Sequence, residues 1–561
     1  MGRGHTANPE LPMVSRVARL IGLFCGVCLA IYGIALAALS PAGFPDEILH
    51  GSSWPYLIDQ PLGEDAFYAL TVAWNVAAGN GVVYNQHAPT AGFQPLVTFI
   101  YAGLAWVTRL LGGDKFFFCR LVLVFNVLVM LAFAHLAGAL AQRLSLVGRQ
   151  TNSLPYWTAF TLVCTSCDVF NWFGYGLETG VYVSLLCWVI RKSLDLFDPD
   201  RTPGLRRWLP VIAGSALAVV VRTDYPVLLG AFLGSAVLLR PRLARHGGMT
   251  VAITSLALLP WLLYTLSATG SLVQSSALAQ AGLSSSAREF CARLFFAAYL
   301  IVKQSVTAVG NAEVVLDRRA EVAIVALAAV LASLYWYGSH RLENLRRPAT
   351  DGRVPALGCW AVAFLGLGAT YAFYSKAYWF YGRYLLVALS LTIPVLSAIL
   401  ARAVGDLRVS VRLTALVVLL VAVASFPFGV YNRYHRGVSY YEQPILAGVI
   451  QRQHPNEMVG AFQSGVTGFF NENVVNLDGK MNAAALASVR SGSLGRYIDA
   501  AGVTLIVDWA ALIESYMSSP GDAAYLARNF HCTELSIAAT RGRATHVCRR
   551  KTDESEPATP R

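Results

Sequence analysis

Long apolar runs recur along most of this chain and constrain its fold more than any other feature. Most of them are roughly 16–25 residues long, the length that crosses the hydrocarbon core of a bilayer as a helix. They lie at about 17–40, 93–112, 116–141, 154–170, 178–190, 209–240, 249–266, 320–338, 356–375, 383–402 and 412–430. Only 14% of the 561 residues are charged, whereas an ordinary soluble domain carries about 25%. The sequence therefore predicts a mainly α fold, a polytopic helical bundle in a membrane.

Basic residues cluster in five linkers between these runs and predict the orientation of the bundle. Cytoplasmic loops of membrane proteins carry an excess of Lys and Arg, so these linkers belong in the cytoplasm with the N-terminus. They hold Arg143 and Arg149; Arg191, Lys192, Arg201, Arg206 and Arg207; Arg240, Arg242 and Arg245; Arg341, Arg346, Arg347 and Arg353; and Arg402, Arg408 and Arg412. This placement requires the run 93–112 to lie flat on the outer surface, which suits Pro95 near its start and Arg109 inside it.

Eleven spans follow from this orientation. The run 209–240 is long enough for a hairpin, and its tip, VRTDYP, interrupts the apolar pattern with Pro226. Counting it as two spans gives an odd total, which places the C-terminus outside. We therefore expect a transmembrane domain over 1–430, with a first outer loop over 41–115 that carries surface helices, and an extracytoplasmic domain over 431–561.

The net charge of +12 does not indicate nucleic-acid binding. The basic residues fall in the predicted cytoplasmic loops, and no Lys/Arg tract alternates with aromatic residues on a soluble face. Membrane lipids are the expected surroundings, and no nucleic acid is expected as a partner. The first run, 17–40, fits an uncleaved signal anchor better than a cleaved signal peptide, because it is long and ends in AALSPAGF, a poor cleavage site.

The C-terminal region is less apolar and predicts a small α/β domain. Strand-like and helical segments alternate there: VVNLDG (474–479), a helix over 481–500, VTLIVDW (503–509) and a helix over 510–528. A hairpin is expected between Cys532 and Cys548, and these two cysteines would suit a disulfide if the region is extracytoplasmic. The other eight cysteines lie in or near apolar runs and are expected to pack there.

An acid pair, Glu64-Asp65, follows the first apolar run in the predicted outer loop. Carboxylates at the mouth of a membrane bundle are costly to keep unless they serve a function. One carboxylate can act as a general base that takes a proton from an attacking hydroxyl. The alternative is that the pair only caps the helix that starts near Ala66.

Further polar groups fall on the same predicted side of the membrane. Arg383 and Lys376 lie at headgroup depth, where they can hold a lipid phosphate or act as snorkelling anchors beside an aromatic belt. The tip Arg222-Thr223-Asp224 is either an internal ion pair or a contact to a phosphate or sugar. Glu178 starts an apolar run without a basic neighbour, which fits a functional acid or a helix N-cap.

The order of these motifs resembles that of the GT-C glycosyltransferases, integral membrane enzymes that take a sugar from a polyprenyl-phosphate carrier. The resemblance covers nearly the whole chain and is carried by GEDAFYALTVAWNVAAGNGVVYN with TAGFQPL (63–96), FGYGLETGVYVSLL (173–186), VVRTDYPVLLG (220–230), YGRYLLVALSLTIPVL (381–396) and GAFQSGVTGFFNENVVNLDGKMN (460–482). The last segment is similar to the outer domain of bacterial members related to arabinofuranosyl- and mannosyltransferases. The resemblance implies a hexosyl- or pentosyltransferase in a bacterial inner membrane.

The resemblance also implies roles for particular residues. Asp65 would be the general base, with Glu64 assisting, and Glu178 would be the second acidic site. The residues implied to bind the lipid-phosphate donor are Arg383, Lys376, Arg222 and Tyr381. The residues expected nearer the acceptor or elsewhere in the site are Asp224, Gln94, Asn476, Asp478 and Lys480. Metal-dependent relatives carry a richer acidic cluster with a DxD-like turn, whereas this chain offers only Glu178 there. We therefore expect no required metal and keep a divalent cation as an open alternative.

The expected reaction is one displacement at the anomeric carbon, with inversion. The expected partners are a polyprenyl-phosphate-sugar donor and an envelope glycan, lipid or protein acceptor. Two other classes stay open. A lipid or polysaccharide transporter or flippase predicts inverted repeats and charges at mid-membrane, and the sequence has no evident repeat. A non-catalytic membrane scaffold would leave Glu64-Asp65 dispensable.

Overall fold

The computed structural model describes residues 11–45, 53–85, 88–145, 153–198, 203–310, 353–406, 426–427, 429–435, 442–535 and 544–551. The predicted span over 320–338 and most of the one over 412–430 lie outside these residues. The described chain is mainly helical and ends in a small sheet.

The first part of the chain folds as a stack of helices joined by short turns. These are α1 (Leu11–Leu39), α2 (Glu64–Ala78), α3 (Pro95–Leu110), α4 (Lys115–Ser145), α5 (Leu154–Cys164), α6 (Cys167–Gly174), α7 (Thr179–Ser193), α8 (Leu205–Val221), α9 (Tyr225–Leu239), α10 (Ala244–Thr269), α11 (Ser275–Gln280), α12 (Ala287–Gly310), α13 (Arg353–Tyr374), α14 (Tyr381–Leu385) and α15 (Leu389–Asp406).

Several of these helices have the length and composition of membrane spans. Within the described residues, five are long and apolar enough to cross a membrane: Val14–Leu39, Lys115–Ser145, Pro241–Thr269, Arg353–Tyr374 and Tyr378–Arg402. The interior of the bundle is one large cluster of buried apolar side chains, to which α1, α4, α7 and α13 all contribute. The total of eleven spans and their orientation stay predictions.

A break divides the run 154–170, which the sequence predicts as one span. α5 ends at Cys164 and α6 starts at Cys167, because the Ser166 hydroxyl accepts a hydrogen bond from Val169 N and caps α6. α6 and the following Thr179–Phe197 are long and apolar enough for a span only together, with a bend of 114° between them. The prediction of one continuous span over 154–170 is therefore corrected to two helices.

Two other apolar runs, 209–240 and 93–112, also form helices. The run 209–240 divides where the sequence predicts, since α8 ends at Val221 and α9 starts at Tyr225. α3 is an apolar helix of 16 residues that packs against α2 and α4. Whether it lies flat on a membrane surface stays a prediction.

The tail domain, defined as residues 442–535 with 544–551, is a mixed sheet with helices. Its elements are α16 (Gln443–Gln453), β1 (Val459–Ala461), α17 (Gly465–Phe470), β2 (Val474–Asn476), α18 (Ala483–Arg490), α19 (Leu494–Ala500), β3 (Leu505–Trp509), α20 (Ala510–Tyr516), α21 (Pro520–Asn529), β4 (Phe530–Leu535) and β5 (Thr545–Arg550). The strand order is β2-β1-β3-β5-β4, with β1 parallel to β2 and β3. β5 runs antiparallel to both its neighbours.

The expected strands fall on β2 and β3, whereas each expected helix is two shorter ones. The predicted helix 481–500 is interrupted at Gly492, whose φ of +62° suits glycine, and 510–528 is interrupted before Pro520. Cys532 and Cys548 lie opposite each other on β4 and β5 and are joined by a disulfide.

The tail domain is docked on the start of α2. Phe469 and Phe470 of α17 belong to the same buried cluster as the helices of the bundle. Three bundle side chains bond tail backbone: Tyr84 Oη donates to Ser464 O at 2.6 Å, Lys115 Nζ to Phe469 O at 2.6 Å, and Asn85 Nδ2 to Val474 O at 2.8 Å. The contact is both apolar and hydrogen-bonded, so it fixes where the tail loops sit.

Candidate active site

A cavity of about 180 Å³ lies between the start of α2, several turns of the bundle and the tail domain. Seven of the residues singled out by sequence line it: Asp65, Gln94, Glu178, Arg222, Asp224, Arg383 and Lys480. Six aromatic rings line it as well: Tyr68, Phe93, Tyr101, Tyr371, Tyr374 and Tyr384. The cavity therefore combines both signs of charge with flat apolar faces.

Asp65 lies between two cations that come from opposite parts of the fold. Arg383 Nη1 at the start of α14 donates to Asp65 Oδ2 at 2.8 Å. Lys480 Nζ, on the tail loop after β2, is 3.5 Å from Asp65 Oδ1. All three side chains are largely buried, so these charge contacts are stronger than they would be in water.

The two cations determine the protonation of Asp65. Burial by itself would raise the pKa of the Asp65 carboxyl, but the positive charges of Lys480 and Arg383 outweigh it and hold this pKa below its ordinary value. Asp65 is therefore ionised at neutral pH. As long as both cations are bound to it, it is also a weak base.

Each cation is held by further partners. Lys480 Nζ also pairs with Asp478 Oδ2 at 3.2 Å, and the Lys480 carbonyl accepts from Ser275 Oγ at 2.6 Å. The Arg383 guanidinium lies over the rings of Phe380 and Tyr384, 4.8 and 5.1 Å from their centroids. Its Nε is buried without a hydrogen-bond partner in the described chain.

A close backbone approach brings the two acidic positions of the cavity onto one wall. Gly63 N, just before α2, donates to Tyr175 O at 2.9 Å in the turn before α7. A Cβ on Gly63 would lie 1.8 Å from the Tyr175 ring, so a larger residue there would displace that ring. This contact sets Asp65 and Glu178 beside the same cavity.

Arg222 is fixed at the tip between α8 and α9. Its Nε and Nη2 donate to the Asp224 carboxylate at 3.2 and 2.6 Å, and Nη2 also donates to Tyr371 Oη at 2.8 Å. Glu178 is a weaker neighbour, with Oε1 at 3.9 Å from Arg222 Nε. The internal pair foreseen for this tip is present, and it still leaves the guanidinium facing the cavity.

Glu64 does not line the cavity. Its two carboxylate oxygens accept from Gly465 N at 2.6 Å and Val466 N at 3.0 Å, so it ties α2 to the tail domain. Burial raises the pKa of Glu64 to about 8, although the two N–H donors pull it down. The geometry gives Glu64 a docking contact rather than a place beside Asp65.

Four more of the singled-out residues lie outside the cavity lining. Lys376 is exposed on the turn after α13. Tyr381 is buried, and its hydroxyl donates to the carbonyls of Tyr371 and Ser375 at 2.6 and 3.0 Å. Asn476 donates to Asp478 Oδ1 at 2.8 Å, and both stand behind Lys480.

Sequence reasoning missed several residues of the cavity wall. Gln274 accepts from Gln94 Nε2 at 3.3 Å and donates to Phe93 O at 2.8 Å, and Tyr384 donates to Gln280. Two glutamines within seven residues of a polar segment, Gln274 and Gln280, were the available signal.

Asp508 at the end of β3 was also missed. It accepts from Phe462 N at 2.7 Å and Gln463 N at 2.6 Å and so fixes the loop that carries the Glu64 donors. Burial raises its pKa to about 7, against the pull of these backbone N–H groups. A carboxylate that follows three buried strand residues was its sequence signal.

The carboxylates of the cavity face cations of the protein. Among the described residues, no group of three or more His, Cys, Asp or Glu side chains is arranged to hold a metal ion. Asp65 is paired with Arg383 and Lys480, and Asp224 with Arg222.

Comparison with known proteins gives a distant likeness of fold. No protein-family model and no curated protein matches the chain. Among solved structures it is similar to an archaeal oligosaccharyltransferase, AglB from Archaeoglobus fulgidus, in complex with an inhibitory peptide and a dolichol-phosphate. The identity is 12% and the TM-score 0.49, over 93% of this chain and 74% of that chain. A likeness this distant supports no inference about activity. The function is therefore argued from the residues of the cavity alone.

Proposed function

We propose that the protein is a membrane glycosyltransferase of GT-C type that moves a hexose or pentose from a polyprenyl-phosphate donor to a cell-envelope acceptor. The observation that carries the proposal is the carboxylate of Asp65 held between two buried cations in a cavity lined by aromatic rings and amides. This combination suits a sugar phosphate. Cations bind the phosphate, amides and rings contact the sugar, and a carboxylate accepts a proton.

In the proposed reaction Asp65 is the general base. The acceptor hydroxyl loses its proton to Asp65, and its oxygen forms a bond to the anomeric carbon from the face opposite the phosphate. The bond between that carbon and the phosphate oxygen breaks, and the electron pair leaves with the polyprenyl phosphate. One displacement of this kind inverts the anomeric configuration.

Arg383 and Lys480 support the departure of the phosphate. Their positive charges stabilise the negative charge that develops on the leaving oxygen, and burial makes this stabilisation larger than it is in water. A phosphate that binds these two cations also removes them from Asp65. The pKa of Asp65 then rises, because the two cations no longer offset the effect of burial on this pKa. The carboxylate is therefore a better base when the donor is bound.

The surroundings of the cavity suit a lipid-linked donor. Tyr374 lines the cavity, and Tyr378 and Trp379 on the same turn are 53% and 63% exposed. Leu272 and Leu283, which flank the lining segment 274–280, are also exposed. Exposed apolar side chains beside a charged cavity give a polyprenyl chain and its phosphate adjacent places to bind.

The location belongs to the same proposal. We place the protein in a bacterial inner membrane with the N-terminus in the cytoplasm and the tail domain outside, so the acceptor is an envelope glycan, lipid or protein. The disulfide between Cys532 and Cys548 supports this side, because disulfides persist in oxidising compartments.

A strain that lacks the protein tests the proposal. Mass spectrometry of its envelope glycans, lipids and proteins is expected to show one missing sugar. The wild-type gene restores that sugar, and a gene carrying Asp65→Asn does not. Unchanged envelope chemistry in the deletion strain, or full rescue by Asp65→Asn, would favour a transporter or a scaffold instead.

A further inference from the structure

We propose that Glu178 and Arg222 form a subsite for the ring hydroxyls of the transferred sugar. This inference rests on the proposed function and deepens it, because it takes Glu178 out of the chemistry and makes it the residue that recognises the sugar.

Glu178 is a buried carboxylate with unused acceptor capacity. The residue is 9% exposed and lines the cavity. It occupies the N-cap position of α7, yet its side chain makes no capping hydrogen bond. Its ion-pair neighbour, Arg222 Nε, is 3.9 Å away, beyond hydrogen-bond distance, and the charge of Arg383 also acts on Glu178 through space. A buried carboxylate in this state gains from donors supplied by a ligand.

Arg222 is a rigid donor with an unused N–H group. It is 2% exposed, and Asp224 and Tyr371 fix its Nε and Nη2. The rings of Tyr182 and Tyr384 lie 5.2 and 5.3 Å from its guanidinium carbon. Its Nη1 is buried and has no hydrogen-bond partner among the described residues. Arg222 therefore has unsatisfied donor capacity, and it lines the same cavity as Glu178.

A neutral ligand that both donates and accepts hydrogen bonds suits this pair better than an ion does. A phosphate would be attracted by Arg222 and repelled by Glu178, and a metal ion would meet the opposite conflict. A hydroxyl donates to a carboxylate and accepts from a guanidinium, so neighbouring hydroxyls of a sugar fit both. The cavity of about 180 Å³ is also large enough for several water molecules, and therefore for a small polar ligand such as a sugar ring.

The test separates the sugar contribution to affinity from the phosphate contribution. Full-length protein in nanodiscs is titrated with decaprenol, with decaprenyl phosphate, and with a panel of decaprenyl phosphates that each carry one hexose or one pentose. Wild-type protein is expected to bind decaprenyl phosphate more tightly than decaprenol. It is expected to bind at least one glycosylated lipid about tenfold more tightly than decaprenyl phosphate, because a hydrogen bond to a charged group contributes affinity of that order.

The sugar increment is the gain in affinity of a glycosylated decaprenyl phosphate over bare decaprenyl phosphate. Glu178→Gln is expected to abolish this increment, while its affinity for bare decaprenyl phosphate stays within twofold of the wild-type value. Glu514→Gln, the same change on an exposed tail residue, is expected to keep it. The inference is overturned if Glu178→Gln keeps the increment, lowers both affinities equally, or removes an increment that depends on added Mg²⁺ or Mn²⁺. If wild-type protein does not distinguish decaprenyl phosphate from decaprenol, the proposed function itself fails.

Discussion

At the scale of single residues, the charge arrangement around Asp65 is the feature that the sequence only half predicts. Asp65 and Arg383 are recognisable because acids and cations beside apolar runs are costly. Lys480 could be named from the tail segment, but its position against Asp65 could not. That contact depends on how the tail domain docks, and no local pattern encodes the docking. The same limit explains why Glu64, adjacent to Asp65 in sequence, turns away to the amides of α17.

Replacing Lys480 with Met tests the electrostatic account of Asp65. Lys480 and Arg383 lower the pKa of Asp65 against burial, so removing one charge should raise it. The base must be ionised in the free enzyme, so the acid limb of the kcat/KM profile should move to higher pH. For stability the sign is fixed as well. Because the pKa of Asp65 is lower in the folded protein than in the unfolded chain, its ionised carboxylate stabilises the fold above the unfolded-state pKa. This stabilisation is lost as the pH falls through the folded-state pKa.

The measurement is a pH profile of kcat/KM for both proteins. Lys551→Met, at an exposed lysine of the tail, is the matched control and should keep the wild-type profile. An acid limb that does not move in Lys480→Met, even with reduced activity, would contradict this account of the Asp65 pKa.

At the scale of elements, glycines decide how closely the segments of the site approach one another. The sequence identified these segments, yet it could not show which of their glycines face backbone. Gly92, in the stretch before α3, is the clearest case, because a Cβ there would lie 1.9 Å from the Lys480 carbonyl oxygen. Gly103, inside α3, has no atom within 4 Å of its added Cβ.

Gly92→Ala should therefore displace the loop that carries Lys480. A backbone oxygen cannot turn away like the end of a side chain, so the loop must shift and Lys480 should lose its contact with Asp65. We expect transfer activity to fall by about tenfold or more, since a displacement of about 1 Å in a site can cost 100-fold. Gly103→Ala should leave activity unchanged and should stabilise α3 slightly.

Transfer rates of the two alanine variants, with thermal unfolding of both, make the comparison. Wild-type activity in Gly92→Ala would show that the close approach does not position Lys480.

At the scale of the whole molecule, long apolar runs predict the helical bundle, and short apolar runs that end in polar turns predict two strands of the tail sheet, β2 and β3. The breaks are harder to predict. The cap at Ser166 that divides 154–170, and the turn at Gly492 in the tail, depend on single hydrogen bonds and backbone angles that apolar patterns do not show.

The side of the membrane on which the tail domain lies can be tested by labelling. Cys28 and Cys291 are exposed free cysteines, so the labelling is done with both replaced by serine. In that background Glu514→Cys, at an exposed position of α20, should react with a membrane-impermeant maleimide in intact cells if the tail is outside. A cysteine at Arg206, in a predicted cytoplasmic linker, should react only after the cells are lysed. The reverse pattern would place the tail and the cavity in the cytoplasm and contradict the proposed topology.

The central claim is that this cavity transfers a sugar with Asp65 as the base, and the most direct measurement is the rate of transfer by purified full-length protein from decaprenyl-phosphate sugars. Asp65→Asn should bind donor and stay folded, yet lose transfer by roughly 10²–10⁴-fold, the usual contribution of a general base. Asp65→Glu, which keeps the carboxylate, should retain part of the activity and guards against a folding defect. Transfer by Asp65→Asn at the wild-type rate would contradict the account.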